Sequence, residues 1–114
     1  EESTAAYLQI IARLHLRGIK IIGGTLTAFA GSERFDERSE NARKTINAFI
    51  RDSGEFDGVV DFDKATQDPA KPEAMRPDFA REDRLHPNDQ GYAAMAQAID
   101  LSAFSRPGAK CAAR

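Results

Sequence analysis

The sequence predicts an α/β layered fold with a parallel sheet. Two observations carry that expectation. Helical and strand-like segments alternate, in the order helix, strand, helix, strand, long loop, helix. The two strand-like segments, residues 19–22 and 59–62, are short and mostly apolar, as strands covered on both faces are.

Each element has its own signal. Tyr7, Leu8, Ile11, Leu14 and His15 recur at helical spacing, Ser3 or Thr4 stands at the start, and Gly18 stands where a C′ glycine belongs. The first helix therefore ends near Arg17. Ile19, Lys20, Ile21 and Ile22 predict a strand, closed by Gly23 and Gly24. Residues 25–38 have no period and read as a loop. Ser39 is the expected cap of a second helix, whose apolar stripe is Ala42, Ile46, Phe49 and Ile50 and whose end is Asp52-Ser53-Gly54. Val59 to Phe62 is the second strand, entered through Gly58. Pro69, Pro72 and Pro77 predict a long loop over residues 63–82. Asn88 caps the last helix, with Tyr92, Met95, Ala96 and Ile99 on its apolar face and Leu101 and Phe104 extending the packing. The tail from Ser105 is expected to fray. No internal repeat or low-complexity tract interrupts this order.

Length and composition narrow the classes of function. The chain has 114 residues, within the range of about 100–200 for one domain. It is 41% hydrophobic and 30% charged, an ordinary globular balance. With 16 basic and 18 acidic residues its net charge is −2, which lacks the basic footprint of a nucleic-acid binder. One cysteine, Cys111, excludes an internal disulfide framework and a cysteine-rich zinc site. No apolar run approaches the roughly 20 residues of a membrane span.

The chemistry concentrates in Asp83-Arg84-Leu85-His86-Pro87-Asn88-Asp89-Gln90-Gly91-Tyr92. A carboxylate three residues before a histidine reaches the near ring nitrogen across one turn. It fixes the tautomer and leaves the far nitrogen to accept a proton. Pro87 biases His86 to an extended backbone. Taken alone, Asp-x-x-His also arises by chance, and His86 could simply bond nearby backbone.

The wider block, Asp83-x-x-His86-Pro87-Asn88-x-x-Gly91-Tyr92-x-x-Met95-Ala96, resembles the C-terminal signature of the SGNH/GDSL hydrolase family. Residues 18–27 resemble that family's late strand and following loop, residues 39–58 its next helix and turn, and residues 59–62 its next strand. The resemblance covers roughly residues 7–104. It implies a flavodoxin-like three-layer α/β/α sandwich and ester hydrolysis through an acyl-serine. It makes His86 the general base and Asp83 its orienter. No cofactor and no metal are implied. The expected substrate is a small-molecule, carbohydrate or lipid ester.

The sequence departs from the family's pattern in one respect. The nucleophilic serine of the family sits in a Gly-Asp-Ser block, and the oxyanion donors come from that serine, a glycine and an asparagine in further blocks. None is found here. Asp52-Ser53-Gly54 follows a helix and reads as its stop. Asn88 reads as an N-cap, and Gly23-Gly24 as backbone room at a strand end. Ser3, Ser32, Ser39, Ser102 and Ser105 have no motif around them, and no Gly-x-Ser-x-Gly elbow occurs. The first residue is Glu1 rather than methionine. The expectation is therefore the C-terminal half of a hydrolase domain over residues 1–104, a flexible tail over residues 105–114, and a chain inactive by itself.

Weaker features read as structural. His15 is expected as a packed or boundary residue on or beside the apolar face of the first helix, and Asp57, Asp61 and Asp63 as solvated strand-end carboxylates. Arg34, Arg38 and Arg43 read as solvated surface, and Cys111 as an unpartnered tail residue. Two competing readings stay open. One is a non-catalytic α/β module that associates with a partner through its incomplete sheet. The other is a metal hydrolase using His86, His15 and carboxylates.

Overall fold

The computed structural model describes residues 2–105. Its elements run α1 (Glu2–His15), β1 (Ile22–Gly24), α2 (Glu37–Asp52), β2 (Gly58–Val60), α3 (Phe62–Thr66), β3 (Gln67–Asp68), β4 (Lys71–Met75), α4 (Asp89–Gln97) and α5 (Ser102–Ser105). β1 pairs with β2 in parallel, with Ile22, Gly23 and Gly24 opposite Gly58, Val59 and Val60. β3 and β4 form a separate antiparallel hairpin. The mixed α/β class with a parallel strand pair is the one expected.

Local signals set the helix ends. The N–H of Ile19 bonds the carbonyl of Leu14, and that of Gly18 bonds the carbonyl of His15. With Gly18 at φ 69 this is a Schellman closure, and only a residue without Cβ adopts that φ freely. α2 starts earlier than expected. Asp36, not Ser39, is its N-cap, and Ser39 is the N3 partner of a reciprocal capping box. The cap side chains hold both orphan N–H groups.

The strands are shifted and less covered than expected. Ile19 is consumed by the α1 closure and is 48% exposed, and Val59 is 43% exposed. With two strands only, the pair is not buried on both faces. Gly23 and Gly24 belong to β1 instead of closing it. A Cβ at Gly23 would lie 2.9 Å from the Phe56 ring and 3.0 Å from Ile50, and one at Gly24 would lie 2.9 Å from Phe62. These side chains pack directly on the bare strand backbone.

Aromatic contacts join α1 and α2 to the sheet. Tyr7 stacks on Phe49 at 6.3 Å, and Phe49 meets Phe56 edge-on at 6.0 Å. Ile11, Ile50, Val60, Ala28, Ala30 and Met75 are buried.

Residues 63–82 are not the long loop expected. α3, β3 and β4 occupy most of the first half. Pro69 lies in the turn of a two-stranded hairpin and Pro72 on one of its strands. The N–H of Ala30 bonds the carbonyl of Glu73 at 2.8 Å, fastening the segment after β1 to β4.

The C-terminal packing also differs from expectation. Tyr92, Leu101 and Phe104 are exposed by 49%, 77% and 59%, while Met95 and Ile99 are half-buried. Lys20 Nζ donates to the carbonyls of Ala103 and Phe104 at 3.2 and 3.1 Å, which ties α5 to the start of β1. The frayed-tail expectation falls mainly on residues 106–114, outside the described residues, as does Cys111.

Candidate functional site

The segment between β4 and α4 is a tight pinned loop. Ala80 and Pro87 form an antiparallel bridge. The N–H of Arg81 bonds the carbonyl of His86 at 2.9 Å, and the N–H of Arg84 bonds the carbonyl of Arg81 at 3.0 Å. Arg84 has φ 55, an uncommon backbone for a residue with a Cβ. That reversal brings Asp83 back toward its own downstream neighbours.

Asp83 then makes three contacts. Its Oδ1 accepts from the N–H groups of Leu85 and His86, each at 3.0 Å, and its Oδ2 lies 2.6 Å from His86 Nδ1. The ring contact, reinforced by the two backbone donors, holds the Asp83 carboxyl well below the usual carboxylate range. The side chains of His86 and Asp83 are 60% and 48% exposed. His86 Nε2 has no hydrogen bond among the described residues.

The loop is docked by the start of α4. Asn88 Oδ1 accepts from the N–H of Gly91 at 3.0 Å, as the sequence predicts for an N-cap, while its Nδ2 donates to the carbonyl of Asp78 at 2.9 Å. Gly91 presses against the carbonyl of Phe79, which a Cβ would overlap. One asparagine and one glycine therefore fix where the histidine loop meets the helix.

Two openings flank this loop, and Leu85 is a wall of both. A groove of about 370 Å³ runs between α2 and the segment after β1, with Leu26, Phe29, Ala42 and Ile46 among its walls. A cleft of about 460 Å³ on the other side carries Glu33, Arg34, Glu82 and Asp83. Ser32 also lines that cleft, with a buried Oγ that has no hydrogen-bond partner among the described residues.

The other sequence candidates have structural positions. Ser53 is the C-cap residue of α2, and Asp52-Ser53-Gly54 ends that helix as expected. No serine among the described residues hydrogen-bonds His86. His15 Nε2 lies 2.8 Å from Asp57 Oδ2, which also accepts from the N–H of Ile21 at 2.9 Å. His15 and His86 thus pair with different aspartates. Among the described residues no three His, Cys, Asp or Glu side chains are grouped to hold a metal ion.

Two structural expectations are corrected. Asp57 and Asp63 are not solvated: their side chains are 1% and 7% exposed. Arg43 is not surface either, at 5% exposed. It grips Glu40 with two parallel bonds of 2.8 Å and donates to Asp63 Oδ1 at 2.6 Å. The inward face of α2 is therefore Glu40, Arg43, Asn47 and Ile50, while Ala42 of the expected apolar stripe is exposed. Burying this stripe is tolerable because each charge has a partner. Arg34 and Arg38 are exposed as expected.

The polar stripe does positional work that apolar periodicity hides. Asn47, 1% exposed, accepts from the N–H of Leu26 at 2.7 Å and donates to its carbonyl at 2.8 Å. It satisfies the backbone just beyond β1 as a neighbouring strand would. Arg51 bridges Asp61 at 2.7 Å and Asp63 at 2.9 Å. Asp61 is drawn down to about 2, chiefly by the Arg51 hydrogen bonds and further by the N–H of Lys64 and the hydroxyl of Thr25. The signal available in sequence was the i, i+3, i+7 spacing of Glu40, Arg43 and Asn47, which marks a shared face without saying that it points inward.

No helix among the described residues is long and apolar enough to cross a membrane. No curated protein matches the chain. The family model described as GDSL-like Lipase/Acylhydrolase family matches residues 1–94, most of the chain and all of the histidine loop. With a mixed α/β frame and that match, the chain belongs to the GDSL-like lipase/acylhydrolase family, a family of hydrolases.

Proposed function

We propose that this chain carries the proton-transfer half of an ester hydrolase working through an acyl-serine, with His86 as general base and Asp83 as its orienter. The observation that carries the reading is the 2.6 Å contact of His86 Nδ1 with Asp83 Oδ2, which leaves Nε2 without a partner. The family match supports the reaction class.

In this reading Nε2 takes the proton of a serine hydroxyl as its oxygen bonds the acyl carbon. The same nitrogen returns the proton to the leaving alcohol oxygen as the ester C–O bond breaks. Water then repeats the two steps and frees the acid. Asp83 stays anionic throughout and steadies the imidazolium that forms. The serine and the oxyanion donors are assigned to a segment outside these 114 residues, and residues 1–104 to the C-terminal part of a three-layer α/β/α sandwich. The substrate is a small-molecule, carbohydrate or lipid ester. The chain alone is then inactive, since loss of a single oxyanion donor already lowers turnover on the order of 10²–10³.

The test is hydrolysis of an activated acetate ester by the full-length gene product. His86→Ala is expected to lower kcat by about 10²–10⁴. Unchanged turnover rejects the assigned role.

The parallel pair β1–β2, isolated among the described residues, favours a second reading: a non-catalytic module whose sheet is completed by a partner. A full-length product that forms a stable complex yet hydrolyses no ester would favour it. A monomer with His86-dependent hydrolysis rejects it.

A further inference from the structure

We infer that Arg84 is a positioning residue for His86: its left-handed backbone, for which Gly31 leaves room, turns the Asp83 carboxylate onto the ring; this rests on the hydrolase reading above. Among the described residues Arg84 is the one residue other than glycine with a positive φ, at 55. A residue with a Cβ keeps such a backbone only where its surroundings impose it, and residues held in this way gather at functional sites.

The handedness at residue 84 decides where two N–H groups point. The N–H of Arg84 bonds the carbonyl of Arg81, and the N–H of Arg81 bonds the carbonyl of His86, so residues 81–86 close on themselves. Where a left-handed residue reverses the chain in this way, successive N–H groups converge on an anion. Those of Leu85 and His86 both reach Asp83 Oδ1 at 3.0 Å, which sets Asp83 Oδ2 at 2.6 Å from His86 Nδ1. An extended backbone at residue 84 would carry residues 85 and 86 away and part the carboxylate from the ring.

The segment after β1 accommodates the turn. The N–H of Ser32 bonds the carbonyl of Phe29 at 3.1 Å, and Gly31 stands inside that turn at φ 96. A Cβ at Gly31 would lie 3.4 Å from Arg84 Cγ and 3.6 Å from Arg84 Cβ, so the Arg84 stem rests on bare backbone. The bond from the N–H of Ala30 to Glu73 already fixes this segment to β4. The Arg84 guanidinium has no hydrogen bond or ion pair among the described residues. Its charge therefore does not hold the loop, and the contribution of residue 84 lies in its backbone.

The experiment compares Arg84→Val, Arg84→Asn and Arg84→Gly in the full-length gene product. Arg84 is exposed, so these substitutions leave the core untouched. Valine resists a left-handed backbone, whereas asparagine and glycine adopt it readily. Two readouts are taken: initial rates on an activated acetate ester, and the ring-nitrogen NMR signals of His86, assigned by their loss in His86→Ala. Those signals report which nitrogen carries the proton, Nδ1 where Asp83 holds it. Arg84→Val is expected to lower kcat by about tenfold or more with KM little changed, and to release the ring proton from Nδ1. Arg84→Asn and Arg84→Gly are expected to keep kcat within about threefold of the parent and the proton on Nδ1. Equal losses in all three variants overturn the inference, because the side chain and not the backbone would be responsible. So does a valine variant with the parent's kcat and ring signals. If valine frees the ring proton yet leaves kcat unchanged, Arg84 positions the pair as inferred and the hydrolase role of His86 falls instead.

Discussion

Asp83 holds His86 at two points, its Oδ2 on ring Nδ1 at 2.6 Å and its Oδ1 on the backbone N–H at 3.0 Å. The backbone bond fixes where the imidazole starts, and the ring bond fixes which way it turns. Asparagine at 83 retains an oxygen for one bond and loses the charge that supports a protonated ring. Asp83→Asn is expected to lower kcat of the full-length product on the order of 10²–10⁴, with KM little changed. The split between kcat and KM from initial rates checks it. A rise in KM with kcat unchanged would assign Asp83 to substrate rather than to His86.

The buried triad Glu40–Arg43–Asp63 is expected to be the most sensitive charge cluster. Arg43→Ala leaves two carboxylates with side chains 7% exposed and without their main cation. A loss of about 3–5 kcal/mol is expected in urea unfolding. Lysine is a poor replacement, because one ammonium cannot reproduce the two parallel bonds to Glu40 and the third to Asp63.

The Asp61–Arg51 pair predicts a pH dependence with a defined sign. The folded Asp61 titrates at about 2, below the ordinary carboxylate value. The folded state thus favours the anion. The contribution is full above the unfolded value near 3.9 and is lost as pH falls through about 2. Asp61→Asn should destabilise by about 1–2 kcal/mol at neutral pH. The gap from the parent should close between pH 4 and 2. Melting curves across that range decide it, and a constant gap would show that lost packing, not charge, is responsible.

Gly91 and Asn88 make separable predictions about the histidine loop. Gly91→Ala drives a methyl group into the carbonyl of Phe79 and should destabilise by about 1–3 kcal/mol or more. Asn88→Asp keeps the oxygen that caps α4 but loses the amide that donates to Asp78. It should leave the helix intact and loosen the loop. Amide hydrogen exchange would then speed up over residues 79–87 and not over residues 89–97. Uniform acceleration over both would contradict that division.

What the sequence determined by itself was local. Gly18 ends α1, Asn88 caps α4 and Asp83 reaches His86, because each depends on partners within one turn of chain. The family signature lay in that same stretch. The α/β class was also legible, since strand-like and helical periods alternate. Tertiary structure decided the rest. Glu40, Arg43 and Asn47 face inward because Asp63, 20 residues beyond Arg43, and the backbone of Leu26, 21 residues before Asn47, are there to receive them. His15 meets Asp57 across 42 residues. Hydrophobic periodicity marks the apolar face of a helix as the inner one. That rule fails where buried charges are mutually paired, and only the fold brings such partners together.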